Sequence, residues 1–267
     1  MKIRWFVGKG VARRQNNLFK NNQSQLYKEL GGVKIHGSKA TPNADEAREF
    51  WGKIWSVDKE HDRDASWLGG VRQSLEWFEV QQQENIVLEL GDVKAGIGRM
   101  ANWKAPGPDG VRGFWFKRFP SLHPLILRCL QKCLDCGDVP EWMVKGRTVL
   151  IQKDSAKGAV ASNFRPIACL PLMWKLLTGI FAEKIYDHLM GNGLLPDEQK
   201  GCRKKSRGMK DQLLIDKAVF REARLKKRCL SMGRIDYKKA YDMVPHSWIL
   251  EMLGMLRVAG NVKDLFS

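Results

Sequence analysis

Leu230-Ser231-Met232-Gly233-Arg234-Ile235-Asp236-Tyr237-Lys238-Lys239-Ala240-Tyr241-Asp242 brings strand-like residues, a carboxylate at their end and a turn together in thirteen positions. The first six residues read as a short strand that Asp236 closes, and the next six turn the chain toward a new helix. Ser247 is placed to cap that helix ahead of Trp248, Ile249 and Leu250. A carboxylate at a strand end beside a tight turn presents its oxygens outward, and Mg²⁺ favours one or two carboxylates together with substrate phosphates. The competing reading is local, because an Asp in this position also stabilises its own turn through nearby backbone N–H groups. Taken by itself, Asp236 favours the local reading.

Upstream lies Gln199-Lys200-Gly201-Cys202-Arg203-Lys204-Lys205-Ser206-Arg207-Gly208, with five cations and two glycines ahead of a helix that starts near Asp211. A charge run is commonly a solvated face, but these glycines also let the backbone come close to a phosphate. A helix from Met173 to about Met190 precedes it, with Leu176, Leu177, Ile180, Phe181, Ile185 and Leu189 facing inward and Gly191 and Gly193 at its end. Before that helix, Thr148-Val149-Leu150-Ile151-Gln152-Lys153 reads as a strand. A polar turn through Lys157 and Gly158 leads into extended Asn163-Phe164-Arg165-Pro166-Ile167-Ala168-Cys169-Leu170-Pro171. The order predicts a hairpin carrying Lys153 and Arg165. These are ordinary surface charges or else a grip on a triphosphate, Arg binding as a planar fork and Lys as a point charge.

Further upstream, Trp103-Lys104-Ala105-Pro106-Gly107-Pro108-Asp109-Gly110-Val111 is a stiff loop of defined turns, followed by Phe114, Trp115 and Phe116. A helix is expected over 121–136. In it Leu122, Leu125, Ile126, Cys129, Leu130, Cys133 and Leu134 recur at helical spacing, which puts Cys129 and Cys133 on a buried stripe. Cys133 and Cys136 form a lone C-x-x-C, half of the set a structural zinc site needs, so the cysteines read as packing residues. Asn43 reads as a helix cap with Glu46 in the capping-box position, and Phe50, Trp51, Ile54 and Trp55 share one face of that helix. Two more helices follow, through Trp67 to Leu75 and over 86–100. Residues 31–42 form a Gly-rich linker. Residues 1–28 hold no acid but carry Lys2, Arg4, Lys9, Arg13, Arg14, Lys20 and Lys28, which suits a solvated amphipathic helix or contact with a nucleic-acid backbone.

Composition sets the outer bounds. The 267 residues are 43% hydrophobic, enough for a core rather than a disordered chain. Lys and Arg number 46 against 29 acids, and the net charge of +17 points to a polyanionic partner, nucleic acid or an acidic membrane face. No run is long and apolar enough to span a bilayer, and the start lacks a signal-peptide core. Six cysteines without a disulfide framework suit a reducing compartment, so a soluble intracellular protein is expected.

Taken in order, WKAPGPDGV, the Lys153 strand, NFRPIACLP, EQKGCRKK and IDYKKAYDMVPHSWI resemble the successive reverse-transcriptase motifs of non-LTR (LINE-type) retrotransposons. The resemblance runs over roughly residues 86–267. More loosely, RRQNNLF and the Phe50-Trp51 helix resemble the segment that the family carries ahead of its polymerase. The resemblance implies an RNA-directed DNA polymerase of α/β class. A mainly helical N-terminal extension over 1–100 would precede right-hand fingers and a partial palm with an antiparallel sheet over 101–267. Implied partners are an RNA template, a DNA primer and deoxynucleoside triphosphates, with two Mg²⁺ ions as cofactor, no membrane, and action in the nucleus.

The roles carry over by position. Asp236 resembles the first catalytic, metal-binding carboxylate, and Tyr237 would lend a backbone carbonyl. Tyr241 resembles the bulky residue that excludes a 2′-hydroxyl. Lys153 and Arg165 fall where side chains meet the incoming triphosphate, and Gln199 and Gly201 where the template and nucleotide pocket is supported. Arg13, Arg14, Arg203, Lys204, Lys205 and Arg207 are the candidate phosphate contacts. Cys202 stands where the family usually has an aromatic, and Arg234 where its nearest-looking lineage has one; a buried Arg234 would destabilise the strand unless paired. No Asp-Asp pair occurs anywhere in the sequence, although the family carries its other catalytic carboxylates in such a hairpin. The chain is therefore expected to be inactive, a fragment of a longer reading frame or a truncated gene copy, poorly soluble, with an unpaired edge at the Asp236 strand. A non-catalytic RNA-binding remnant is the alternative. A group II intron maturase fragment ranks lower, because the DYKKAYDMVPHSW wording is LINE-like.

Overall fold

The computed structural model describes residues 41–237 and 239–267. The basic N-terminal segment with Arg13 and Arg14, most of the expected linker, and Lys238 lie outside the described residues. The described residues divide into two compact units, 51–149 with 166–267 forming the larger, and 41–50 with 150–165 the smaller.

Helical periodicity places most of the elements. Helix α1 (Ala44–Trp55) opens on Asn43, whose side-chain oxygen accepts the Asp45 N–H at 2.8 Å, as expected of that cap. Helix α2 spans Ser66–Trp77 and α3 Leu90–Arg99, with residues 86–88 extended ahead of it. The Asp92 carboxylate reaches back to the Glu89 N–H at 3.0 Å and satisfies a donor that the start of α3 leaves free. Then come the short α4 (Gly113–Arg118), a 3₁₀ turn (Pro120–Leu122), α5 (His123–Cys136) and α6 (Glu141–Val144). Beyond the strands lie α7 (Leu172–Gly191), α8 (Met209–Leu225), α9 (His246–Met255) and α10 (Gly260–Phe266).

The core of the larger unit sits where α3 packs on both α5 and α7. Val93 and Ile97 meet Ile126, Leu130 and Leu134 of α5 and Leu176, Leu177, Ile180 and Phe181 of α7, with Val258, Ala259 and Val262 closing one end. The α5 stripe is narrower than its apolar sequence predicts. It runs through His123, Ile126, Leu130 and Leu134, at spacings of three, four and four, and leaves Cys129 and Cys136 exposed and Cys133 half-buried. Cys129 is therefore no packing residue. Burial, more than its thiol and acid neighbours, holds the Cys133 thiol above its ordinary pKa and favours the uncharged form.

Strand β1 (Arg147–Gln152) pairs antiparallel with β2 (Phe164–Cys169), the hairpin read from the sequence. It is the only sheet among the described residues. Residues 230–235, expected as a strand, are irregular and exposed. A strand fixes its backbone only by handing its N–H and C=O groups to a neighbour, and nothing described here lies in register to take them.

Candidate nucleotide and nucleic-acid site

Asp236 lies in that irregular segment, exposed, and among the described residues its carboxylate accepts no hydrogen bond. Among the described residues no bond of the local, turn-stabilising kind is made. The following turn closes without it, through the Asp242 N–H donating to the Lys239 carbonyl at 3.0 Å. Tyr237 and Tyr241 are also exposed, Tyr241 to 91%.

What holds the turn was not read from the sequence. The Trp55 indole N–H donates to the Asp242 carboxylate at 3.1 Å, across 187 positions of chain. The Lys239 ammonium sits 5.0 Å from the Trp51 ring centroid, and Trp51 and Trp55 stack on each other at 5.0 Å. Beyond α1, Lys59 Nζ approaches Met243 Sδ at 3.9 Å, and the His61 N–H donates to Ser247 Oγ at 3.0 Å. Ser247 therefore works inside the first turn of α9, tying down the strap that follows α1, and Pro245 rather than Ser247 precedes the helix. Beside these bonds opens a hollow of about 490 Å³, lined by Trp55, Val57, Lys59, Tyr241, Met243 and His246 among others. The one available signal was the pair of tryptophans on a single face of α1, which sequence alone reads as generic core.

Four of the five cations of the basic loop fall into two pairs. Arg203 turns back into its own loop, donating to the carbonyls of Leu195 (3.1 Å) and Pro196 (2.5 Å) and pairing with Asp197 at 2.8 Å. Lys204 pairs with Glu183 at 2.9 Å and Asp187 at 3.3 Å on α7, and lies 4.4 Å from the Tyr186 ring centroid. The hydrogen bond from Lys204 holds the Glu183 carboxyl below its ordinary pKa, and that bond likewise holds the Lys204 ammonium above its own. Arg203 thus braces the loop internally, and Lys204 fastens it to α7. Lys205 and Arg207 are exposed, and no ion pair engages them among the described residues. Gln199 Nε2 donates to the Gly201 carbonyl at 3.3 Å, and both residues line a smaller hollow of about 240 Å³ against Ala182, Ile185 and Tyr186. Arg234 is exposed and paired with Asp216 of α8 at 3.0 Å, so the burial cost expected at that position does not arise.

Lys153 and Arg165 belong to the smaller unit. Buried Asn163 closes their hairpin loop, donating to the carbonyls of Asp154 (2.6 Å) and Gly158 (2.9 Å). Lys153, just past β1, donates its N–H to the Asn163 carbonyl at 2.7 Å and its ammonium to the Ser162 carbonyl at 2.9 Å. Arg165 stands exposed on β2.

Two further motif segments meet in the larger unit. A Cβ on Gly107 would lie 2.6 Å from the Pro171 nitrogen and 2.8 Å from the Leu170 carbonyl carbon, so only glycine lets the loop of 103–111 dock on the end of NFRPIACLP. Gly110, at φ +68°, completes the turn.

For divalent metal the donor set is thin. Among the described residues no three His, Cys, Asp or Glu side chains gather into a cluster. Asp236 with the Tyr237 carbonyl falls short of the octahedral oxygen shell that Mg²⁺ demands, and further short of holding two ions. The side chains described here do not fit a two-metal centre on their own.

No family model matches the chain. Curated proteins do. It is 27% identical over 159 residues to the Retrovirus-related Pol polyprotein from type-2 retrotransposable element R2DM of Drosophila melanogaster, covering 58% of this chain and 14% of that protein. The chain is a relative of non-LTR retrotransposon Pol polyproteins. The corresponding protein of the type-1 element R2 from Nasonia vitripennis is 30% identical over 149 residues, 56% of this chain and 14% of its own length. That from Popillia japonica is 30% identical over 164 residues, 58% of this chain and 21% of its own. The chain thus spans about a fifth or less of the Pol polyproteins it matches.

Proposed function

We propose that this retroelement chain is the fingers and the beginning of the palm of an RNA-directed DNA polymerase, over 101–267, behind a mainly helical basic extension over 1–100. The similarity to R2 Pol polyproteins across more than half of the chain carries this reading, joined to five motifs in the polymerase order. The unbonded carboxylate of Asp236, with Tyr241 beside a nucleotide-sized hollow, supports it.

In this reading Asp236 and the Tyr237 carbonyl are metal ligands, and Tyr241 fills the space that a 2′-oxygen would need. Lys153 and Arg165 neutralise the triphosphate, and Gln199 and Gly201 back the pocket. Lys205 and Arg207, with Arg13 and Arg14, meet nucleic-acid phosphates. Asp236 and the Tyr237 carbonyl would supply part of a divalent-ion shell and do not complete it. With one carboxylate of the set, the isolated polypeptide binds template and primer without extending it, and the place of action is the nucleus. The irregular backbone at 230–237 favours the second reading, an RNA-binding remnant without catalysis.

The test is an RNA-binding titration of the purified chain at several salt concentrations, with a primer-extension assay alongside. RNA affinity that falls steeply with salt, through release of condensed counterions, is expected, with no extension. Absent or salt-independent binding overturns both readings. Extension that Asp236→Ala abolishes overturns the predicted inactivity and the remnant reading together.

A further inference from the structure

Between residues 103 and 119 four aromatic rings form a ladder that the core does not use. Trp103 stacks on Phe114 with centroids 4.9 Å apart and planes 17° off parallel. Phe114 meets Trp115 edge-on at 5.2 Å, and Trp115 stacks on Phe119 at 6.0 Å and 9°. Trp103 is 64% exposed, Trp115 49% and Phe119 46%.

The backbone builds this arrangement. Trp115 and Phe119 are four residues apart and so share a face of α4 and its end. Gly113 is buried, and a Cβ there would lie 2.7 Å from the Ala101 carbonyl oxygen. That close approach, with the Phe114 N–H donating to the Asn102 carbonyl at 3.2 Å, sets the Phe114 ring against Trp103.

Cations surround the ladder in sequence: Lys104, Arg112, Lys117 and Arg118. The Arg112 guanidinium lies 5.9 Å from the Trp103 ring centroid. None of the four is ion-paired among the described residues. The one acid between 103 and 119, Asp109, is committed to its turn, accepting the Val111 N–H at 3.2 Å. Two stacked ring pairs, set edge-on to each other and partly open to solvent beside positive charge, match single-stranded nucleic acid, whose unpaired bases stack on aromatic faces while its phosphates seek cations.

We infer that this ladder is a stacking platform for unpaired bases, with Lys104, Arg112, Lys117 and Arg118 on the adjoining phosphates. The inference rests on the proposed function only in taking nucleic acid as the partner, and it names the surface.

Fluorescence-anisotropy titration of the whole chain with a labelled single-stranded RNA, and with an RNA duplex of equal length, tests it. Trp103→Ala and Trp115→Ala should each weaken single-strand binding about tenfold and leave duplex binding nearly unchanged, while Trp→Phe at either position keeps most of the affinity. Lys117→Gln with Arg118→Gln should lower the salt slope by about two, a readout that does not depend on removing a ring. Folded Ala variants that bind single strands like the parent overturn the platform and leave the proposed function standing. So does equal loss on single strand and duplex, or a dimer of the chain that Trp115→Ala dissolves. An unaltered chain that binds no RNA overturns the proposed function and the platform together.

Discussion

Helices α3, α5 and α7 and the segment over 228–245 meet solvent in opposite ways. In the helices, Val93, Leu130 and Leu177 are fully enclosed by one another's turns, whereas Ile235 is 84% exposed beside the residue on which the chemistry would depend. The difference lies in where each element keeps its partners. A helix satisfies its own backbone and needs only an apolar stripe to dock. A strand's hydrogen bonds belong to another segment, and without that segment even strand-like residues have no reason to stay extended.

The hardest way to strain this comparison is to cut into both regions equally. Phe181→Ala or Leu177→Ala should cost about 2–5 kcal/mol by urea unfolding, since each leaves a cavity within the packed helices. Ile235→Ala should fall within about 0.5 kcal/mol, as exposed positions do. Similar losses at the two sites would mean that 230–235 is packed in solution and that the expected palm strand forms. Next in size comes Gly107→Ala. Its Cβ would press on the backbone of Leu170 and Pro171, which cannot swing aside as a side chain does, and about 1–3 kcal/mol should be lost. An unchanged melting temperature would show that the two motif segments do not touch.

A smaller effect concerns the clamp on the turn. Trp55→Phe keeps the ring but removes the donor to Asp242, and should destabilise by about 0.5–1.5 kcal/mol with faster amide exchange over 239–243. Asp242→Ala should act through the same bond, so the double substitution should cost less than the sum. Additive losses would show that the indole and the carboxylate are independent.

These contrasts also mark what the sequence could tell. The hairpin and helices α1, α2, α3, α5, α7 and α8 were legible because apolar spacing, caps and glycines act within a few residues of each other, whereas the short α4 and α6 were not. Asn43 capped its helix as read, and the Met173–Met190 periodicity found α7. The α5 cysteines were misread because a seven-residue apolar list does not say how wide a stripe the neighbours cover. Ser247 was misassigned as a cap, and the contacts that engage Arg203 and Lys204 were not legible, for a shared reason. Each is occupied by a partner distant in sequence or by its own loop, and a composition-based reading sees the free charge or hydroxyl but not its commitment.

The finest break in the comparison is by pH, at the place where a basic loop is fastened to a packed helix. Glu183 is held below its ordinary pKa of 4.5 by the Lys204 hydrogen bond, so its contribution is present above that value and lost as pH falls through the depressed one. Lys204 is held above its ordinary 10.5, so its contribution is full below that value and lost as pH rises through the raised one. Limited proteolysis of 199–208 should therefore be slow and flat between those two ranges and quicken beyond either end. Glu183→Gln should erase most of the acid limb while leaving part of the alkaline one, since Asp187 still faces the ammonium at 3.3 Å. Lys204→Met should erase both limbs and speed cleavage at neutral pH. The effect is small, because the pair is open to water, and added salt should shrink it. If Lys204→Met keeps the parent's pH profile, the loop is held by Arg203 and its carbonyl partners alone, and Lys204 is released to join Lys205 and Arg207 as a phosphate contact.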